Sequence, residues 1–226
     1  MKRFILPKTA LIALGLSGLL TACSDTGRLS QPADHALVGK IWDVQAKAFI
    51  ETDDVIERLK NTEYLLLGEK HDNPVHHEHQ SWFIRQLDQL GRNASVAFEM
   101  IDLQQGQRLA QHSVLTTSQL IALLQPDDPG WDYQRYYHDV FAATLAAGYP
   151  VLAANLRRQQ LIRYVTQKQD NISGEFRTLL DEIPLSKQQQ DELQKEIRDS
   201  HCNMMPEERL PMMVRAQRLR DVVMAT

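Results

Sequence analysis

Two cysteines, Cys23 and Cys202, are all that 226 residues contain, so one disulfide is the most this chain can form. No apolar run reaches the ~20 residues that a membrane-spanning helix needs. The most apolar stretch, Thr9 to Leu20, is too short. Blocks of basic residues are also missing. The net charge is -4 with acids and bases interspersed, which argues against nucleic acid as a partner. No internal repeat or low-complexity tract is present. Apolar residues make up 43% and aromatics 7%, ordinary values for a globular chain with a real core.

What is present begins at the N-terminus. Lys2, Arg3 and Lys8 form a positive region ahead of the apolar run, and Ala22 precedes Cys23. This is the form of a secretory signal rather than a span. The pattern Leu20-Thr21-Ala22-Cys23 resembles a bacterial lipoprotein signal, in which Cys23 becomes the lipidated first residue. In such signals Ser24 favours sorting to the outer membrane. Lipidation of Cys23 would leave Cys202 as the remaining thiol and exclude an internal disulfide. Cys202 is then expected to be a buried, small apolar residue. Residues 1–22 are expected to be the signal and 23–37, poor in apolar residues, a tether.

Beyond the tether, strand and helix signals alternate. Tyr64 to Leu67, ending at Gly68, suits a strand buried on both faces. His76 to Leu90 reads as a helix with His76, Gln80, Phe83, Leu87 and Leu90 on one face, closed by Gly91. Ala94 to Phe98 and Tyr149 to Ala154 read as further strands. Tyr133 to Ala147 reads as the helix between them, with Tyr137, Phe141 and Leu145 on one stripe and Gly148 at its end. Strands separated by such helices predict an α/β fold with a mostly parallel sheet flanked by helices, over 38–156. From Arg157 onward strand signals stop, and 157–226 reads as a small helical sub-domain, with Ser186 capping a helix to about Asp199. Three strands make a thin sheet, so C-terminal strands are expected to be missing.

Ligands of parallel α/β sheets bind beyond the carboxyl ends of the strands. Glu69 and His71 follow the first strand, Glu99 the second, and Asn155, Arg157 and Arg158 the third; His76 opens the next helix. Glu69, His71 and Glu99 suit general acid–base work, with a divalent metal as a further option, although the loop is not the H-E-x-x-H helix of zinc hydrolases. No metal ligand set is assigned. Trp131, Tyr133, Tyr136 and Tyr137 form an aromatic cluster. Tyr137 lies on the core stripe, and Tyr136 lies off it, where a phenolate can ligate haem iron. His201-Cys202-Asn203-Met204-Met205 contains haem-ligand types, or is a helix junction with methionine filling the core.

Leu66-Leu67-Gly68-Glu69-Lys70-His71-Asp72-Asn73, His76-His77-Glu78-His79-Gln80, Ala97-Phe98-Glu99-Met100 and Ser200-His201-Cys202 resemble the ChaN family of iron-regulated, haem-binding lipoproteins. So do Gly39 to Asp43, Pro150 to Asn155 and Ala216 to Asp221. The wider superfamily holds erythromycin esterase-like and Tiki-like hydrolases. The resemblance implies an outer-membrane lipoprotein facing the periplasm, which binds haem for haem or iron uptake. It implies a tyrosine ligand, with Tyr136 in that role, haem shared in a homodimer, and a haem transporter or receptor as partner. His76, Arg157 and His201 are further candidates for holding haem. The rival reading is a hydrolase using Glu69, His71 and Glu99. The family's pattern has another strand with a Gly-x-Gly-His type motif near its C-terminus. This sequence stops at Thr226 before it, which predicts a truncation.

Overall fold

Asn73, Gly91, Gly148 and Ser186 mark ends of three helices of this chain. The computed structural model describes residues 35–125, 131–166 and 172–226. Cys23, the signal sequence and nearly all of the tether lie outside them. Residues 39–226 form one unit; from the other, ending at Val38, a turn at His35 to Val38 is described.

The elements run β1 (Ile41–Asp43), β2 (Ala48–Ile50), α1 (Thr52–Leu59), α2 (Pro74–Gln89), β3 (Val96–Asp102), α3 (Leu103–Leu109) and α4 (Thr117–Leu124). A π-helical turn (Tyr133–Tyr137) leads into α5 (His138–Ala146), β4 (Val151–Asn155), α6 (Arg158–Thr166), α7 (Gly174–Glu182), α8 (Lys187–Ser200) and α9 (Leu210–Ala225). β1 and β2 form an antiparallel hairpin. β3 and β4 pair in parallel, with Phe98 opposite Ala153. The mixed α/β class and the parallel pairing agree with the sequence.

The helix ends follow local chemistry. Asn73 caps α2, its side-chain oxygen accepting from the Val75 N–H at 3.0 Å, and Pro74 supplies a first residue that needs no hydrogen-bond partner. Gly91 and Gly148 end α2 and α5 in the left-handed region, at φ 66° and 70°. Ser186 caps α8 in a capping box with Gln189, as expected.

One face of the β3–β4 pair is covered by α2 and α5, where Phe98, Ile84, Tyr137, Val140 and Phe141 form the main core. Phe98 and Phe141 meet at 4.9 Å between ring centroids. Two further clusters lie in the helical second half. Leu161, Tyr164, Phe176 and Leu180 gather around Leu219 and Val223 of α9, and Ile197 of α8 packs on Leu210 and Val214.

Four expectations are corrected. Tyr64 to Leu67 is not a strand buried on both faces. It is extended but joins no ladder among the described residues, and Tyr64 and Leu66 are 81% and 86% exposed while Leu65 and Leu67 turn inward. A continuous apolar run cannot distinguish one covered face from two. The second strand does not stop at Phe98. It continues to Asp102 through an irregularity, held by the Asn155 amide donating to the Glu99 carbonyl at 2.8 Å. On α2 the buried residues are His77, Ser81 and Ile84, one position on from the stripe read from the sequence. Cys202 is exposed, because α8 ends at Ser200 and the chain turns through left-handed Cys202 and Asn203 at the surface.

Candidate functional site

Glu69 leaves the extended segment pointing inward, and its carboxylate is the hub of the site. Its side chain is only 8% exposed. Oε1 accepts from Nδ1 of His71 at 2.7 Å and from the Tyr137 hydroxyl. Oε2 accepts from the Gln80 amide at 2.9 Å. Nδ1 of His77, 3% exposed, lies 3.1 Å from Oε2 without making a hydrogen bond, while Nε2 of the same ring bonds the carbonyl of His71 at 3.1 Å. Two carboxylate oxygens offer about four acceptor sites. Three are filled, and the imidazole of His77 lies beside the last.

The electrostatics follow from this crowding. Burial pushes the Glu69 carboxyl toward its neutral form, but the hydrogen bonds from Tyr137 and His71, the nearby His77 and the Gln80 amide outweigh burial, and its pKa lies below the usual value. Tyr137 moves the other way. Burial, then its bond to the Glu69 carboxylate and the negative charge there, raise its pKa well above that of a free phenol. The hydroxyl therefore stays protonated at neutral pH and serves as a donor. A carboxylate so surrounded is a weak base, and its role is to orient the groups around it.

Two of these groups reach outward. His71 has a side chain 58% exposed. Its Nδ1 is taken up by Glu69, and Nε2 has no part in that bond. The ring meets Trp131 edge-on at 4.7 Å, and Trp131 meets Tyr137 at 6.0 Å. Tyr136 is half-buried, with its ring 5.8 Å from His77 and the Arg135 guanidinium 4.9 Å from its centroid. Among the described residues its hydroxyl has no hydrogen-bond partner, in contrast to Tyr137 and to Tyr133, which donates to the Met100 carbonyl at 3.1 Å.

The other residues named from sequence fall elsewhere. His76 is half-buried and uses Nδ1 to accept from the Lys70 N–H at 2.8 Å, closing the loop before α2. Glu99 sits within β3 with its side chain exposed, near enough to raise the Tyr137 pKa further. Arg157, at the end of β4, lies 3.5 Å through Nε from Asp102. His201 terminates α8, its Nδ1 2.7 Å from the Ile197 carbonyl. Among the described residues no group of three His, Cys, Asp or Glu is arranged to hold a metal ion. His77, Gln80 and Tyr137 are partners of Glu69 that were not expected from the sequence. For His77 the stripe His77, Ser81 and Ile84 was a signal in the sequence; Gln80 and Tyr137 lie on stripes that read as core.

These elements define an α/β protein whose polar hub lies under an aromatic wall. The chain belongs to the family described as haem-binding uptake, Tiki superfamily, ChaN, whose model matches residues 55–226. A solved structure titled "Cofacial heme binding to ChaN of Campylobacter jejuni" is similar in fold. Its TM-score is 0.66 at 23% identity, over 82% of this chain and 73% of that one. No curated protein matches the chain closely.

Proposed function

We propose that this chain is a lipid-anchored haem-binding protein of the bacterial outer membrane, facing the periplasm and serving haem or iron uptake. Its membership in a haem-binding family is the observation that carries the reading. The signal-like segment ending at Cys23 supports the anchor and the location. Haem is the cargo, held between two copies of the chain and exchanged with a transporter or receptor.

Tyr136 is the iron ligand in this reading. It is the tyrosine of the cluster whose ring is half-buried and whose hydroxyl is not engaged by a described residue. Tyr137 is unsuited, because ligation would need a phenolate that its burial and Glu69 oppose. Tyr136→Phe is expected to weaken haemin binding and shift the visible spectrum. An unchanged spectrum removes this residue as ligand.

A hydrolase is the second reading, favoured by the Glu69–His71 pair at 2.7 Å, which orients an exposed imidazole as a base. Glu69 would position His71 and not itself take a proton. A screen of ester and peptide substrates, with and without divalent metal, tests it. A His71→Ala variant as active as wild type would end it.

A further inference from the structure

The β1–β2 hairpin carries an apolar surface that shares no residue with the cluster around Glu69 and Tyr136. Trp42 and Phe49 are cross-strand partners, and their rings meet edge to face at 5.0 Å. They are 51% and 53% exposed, and Val44, which enters the turn, is 78% exposed. Trp42 and Phe49 lie on one face of the hairpin, and Val44 follows in its turn. The opposite face is anchored to the protein: Asp43 is buried, pairs with Arg58, and accepts from the Gln45 and Ala46 N–H groups at 2.9 Å each, which fixes the turn. The hairpin is therefore a braced element with an uncovered aromatic face.

Lys47 stands at the tip with φ 51°, a conformation that turns usually give to glycine or asparagine. A lysine there keeps a positive charge beside the aromatic pair. Acidic residues lie at the other end of the hairpin, where Glu51 and Asp54 close the start of α1, the Glu51 N–H donating to Asp54 at 2.9 Å. The tip thus carries Lys47 beside its apolar residues, while the base carries Lys40 together with the acidic Glu51 and Asp54.

We infer that the β1–β2 hairpin docks on a phospholipid surface, with Trp42, Val44 and Phe49 at the headgroup boundary and Lys47 against lipid phosphates. Indole is suited to this boundary because it is apolar with one polar N–H, and lysine because its stem is apolar and its head charged. The inference rests on the lipid-anchored reading. The length of chain from Cys23 to Lys40 limits the distance from anchor to hairpin to roughly 60 Å at full extension. Docking would fix the orientation of a protein that a tether alone leaves free to rotate.

The test uses the full chain on vesicles of phosphatidylethanolamine and phosphatidylglycerol, with and without brominated acyl chains. Flotation reports attachment, and the loss of tryptophan emission caused by bromolipid reports contact. The expected result is that wild type floats and loses emission to bromolipid, and that Trp42→Phe still floats but lacks the quenched component. Lys47→Glu should reduce that component several-fold. Wild type and Trp42→Phe floating with equal quenching would overturn the docking and leave the anchor standing. A chain that does not float would overturn both.

Discussion

Adjacent tyrosines in this chain have opposite chemistry because of where their hydroxyls go. Tyr137 lies on the core stripe, 1% exposed, and donates to a buried carboxylate. Tyr136 lies one residue earlier, half-buried, beside His77. Tyr137→Phe should cost about 1.5–3 kcal/mol, the range for a hydrogen bond to a charged group, in urea unfolding followed by circular dichroism. Its haemin spectrum should stay like that of wild type. Glu69 makes a second prediction at this scale. Its folded pKa lies below the unfolded value, so its contribution is present above about pH 4.5 and is lost as pH falls through the folded pKa. Glu69→Gln should be less stable at neutral pH, and its stability should fall less steeply on acidification. Denaturant midpoints of both proteins from pH 7 to pH 3 check this, and parallel curves would contradict it. At this scale the sequence pointed to Glu69 and His71 by their place after an apolar run. It did not reveal the partners of Glu69, because Tyr137 and His77 lie 68 and 8 residues away and only the fold brings them together.

Elements were legible where a single periodicity and a cap agreed. Gly91, Gly148 and Ser186 mark ends of α2, α5 and α8 in sequence and structure alike, although the buried stripe of α2 lies one position on from the one read and the expected helix from Tyr133 opens with a π-helical turn before α5. Tyr64 to Leu67 misled because its composition does not encode which neighbours cover it, and whether it joins a ladder, which it does not among the described residues, is a tertiary fact. β3 extended past its expected end because pairing with β4 resumes at Asp102, a contact invisible from either strand alone. A close approach between elements gives a prediction here. A Cβ added at Gly106 of α3 would lie 2.7 Å from the Cβ of Ala153 in β4. Gly106→Ala gains up to about 1 kcal/mol of helix propensity, yet overpacking typically costs about 1–3 kcal/mol. The variant should be destabilised in thermal unfolding, and adding Ala153→Gly should restore part of the loss. A more stable single variant would show that α3 can move aside freely.

The whole molecule joins a thin parallel sheet, covered on one face by α2 and α5, to a helical second half packed around α9. The hub at Glu69 ties the loop before α2 to α2 itself and to the π-helical turn that ends at Tyr137, so the site depends on these three segments being assembled together. The alternation of strands and helices announced this class, and the residues around Glu69 and His71 announced the family. The most direct measurement is a haemin titration of the folded protein, read by visible absorbance. The expected result is a saturable Soret shift at a defined stoichiometry, weakened in Tyr136→Phe. A folded protein with no saturable shift would contradict haem binding and move the Glu69–His71 hydrolase reading ahead of it.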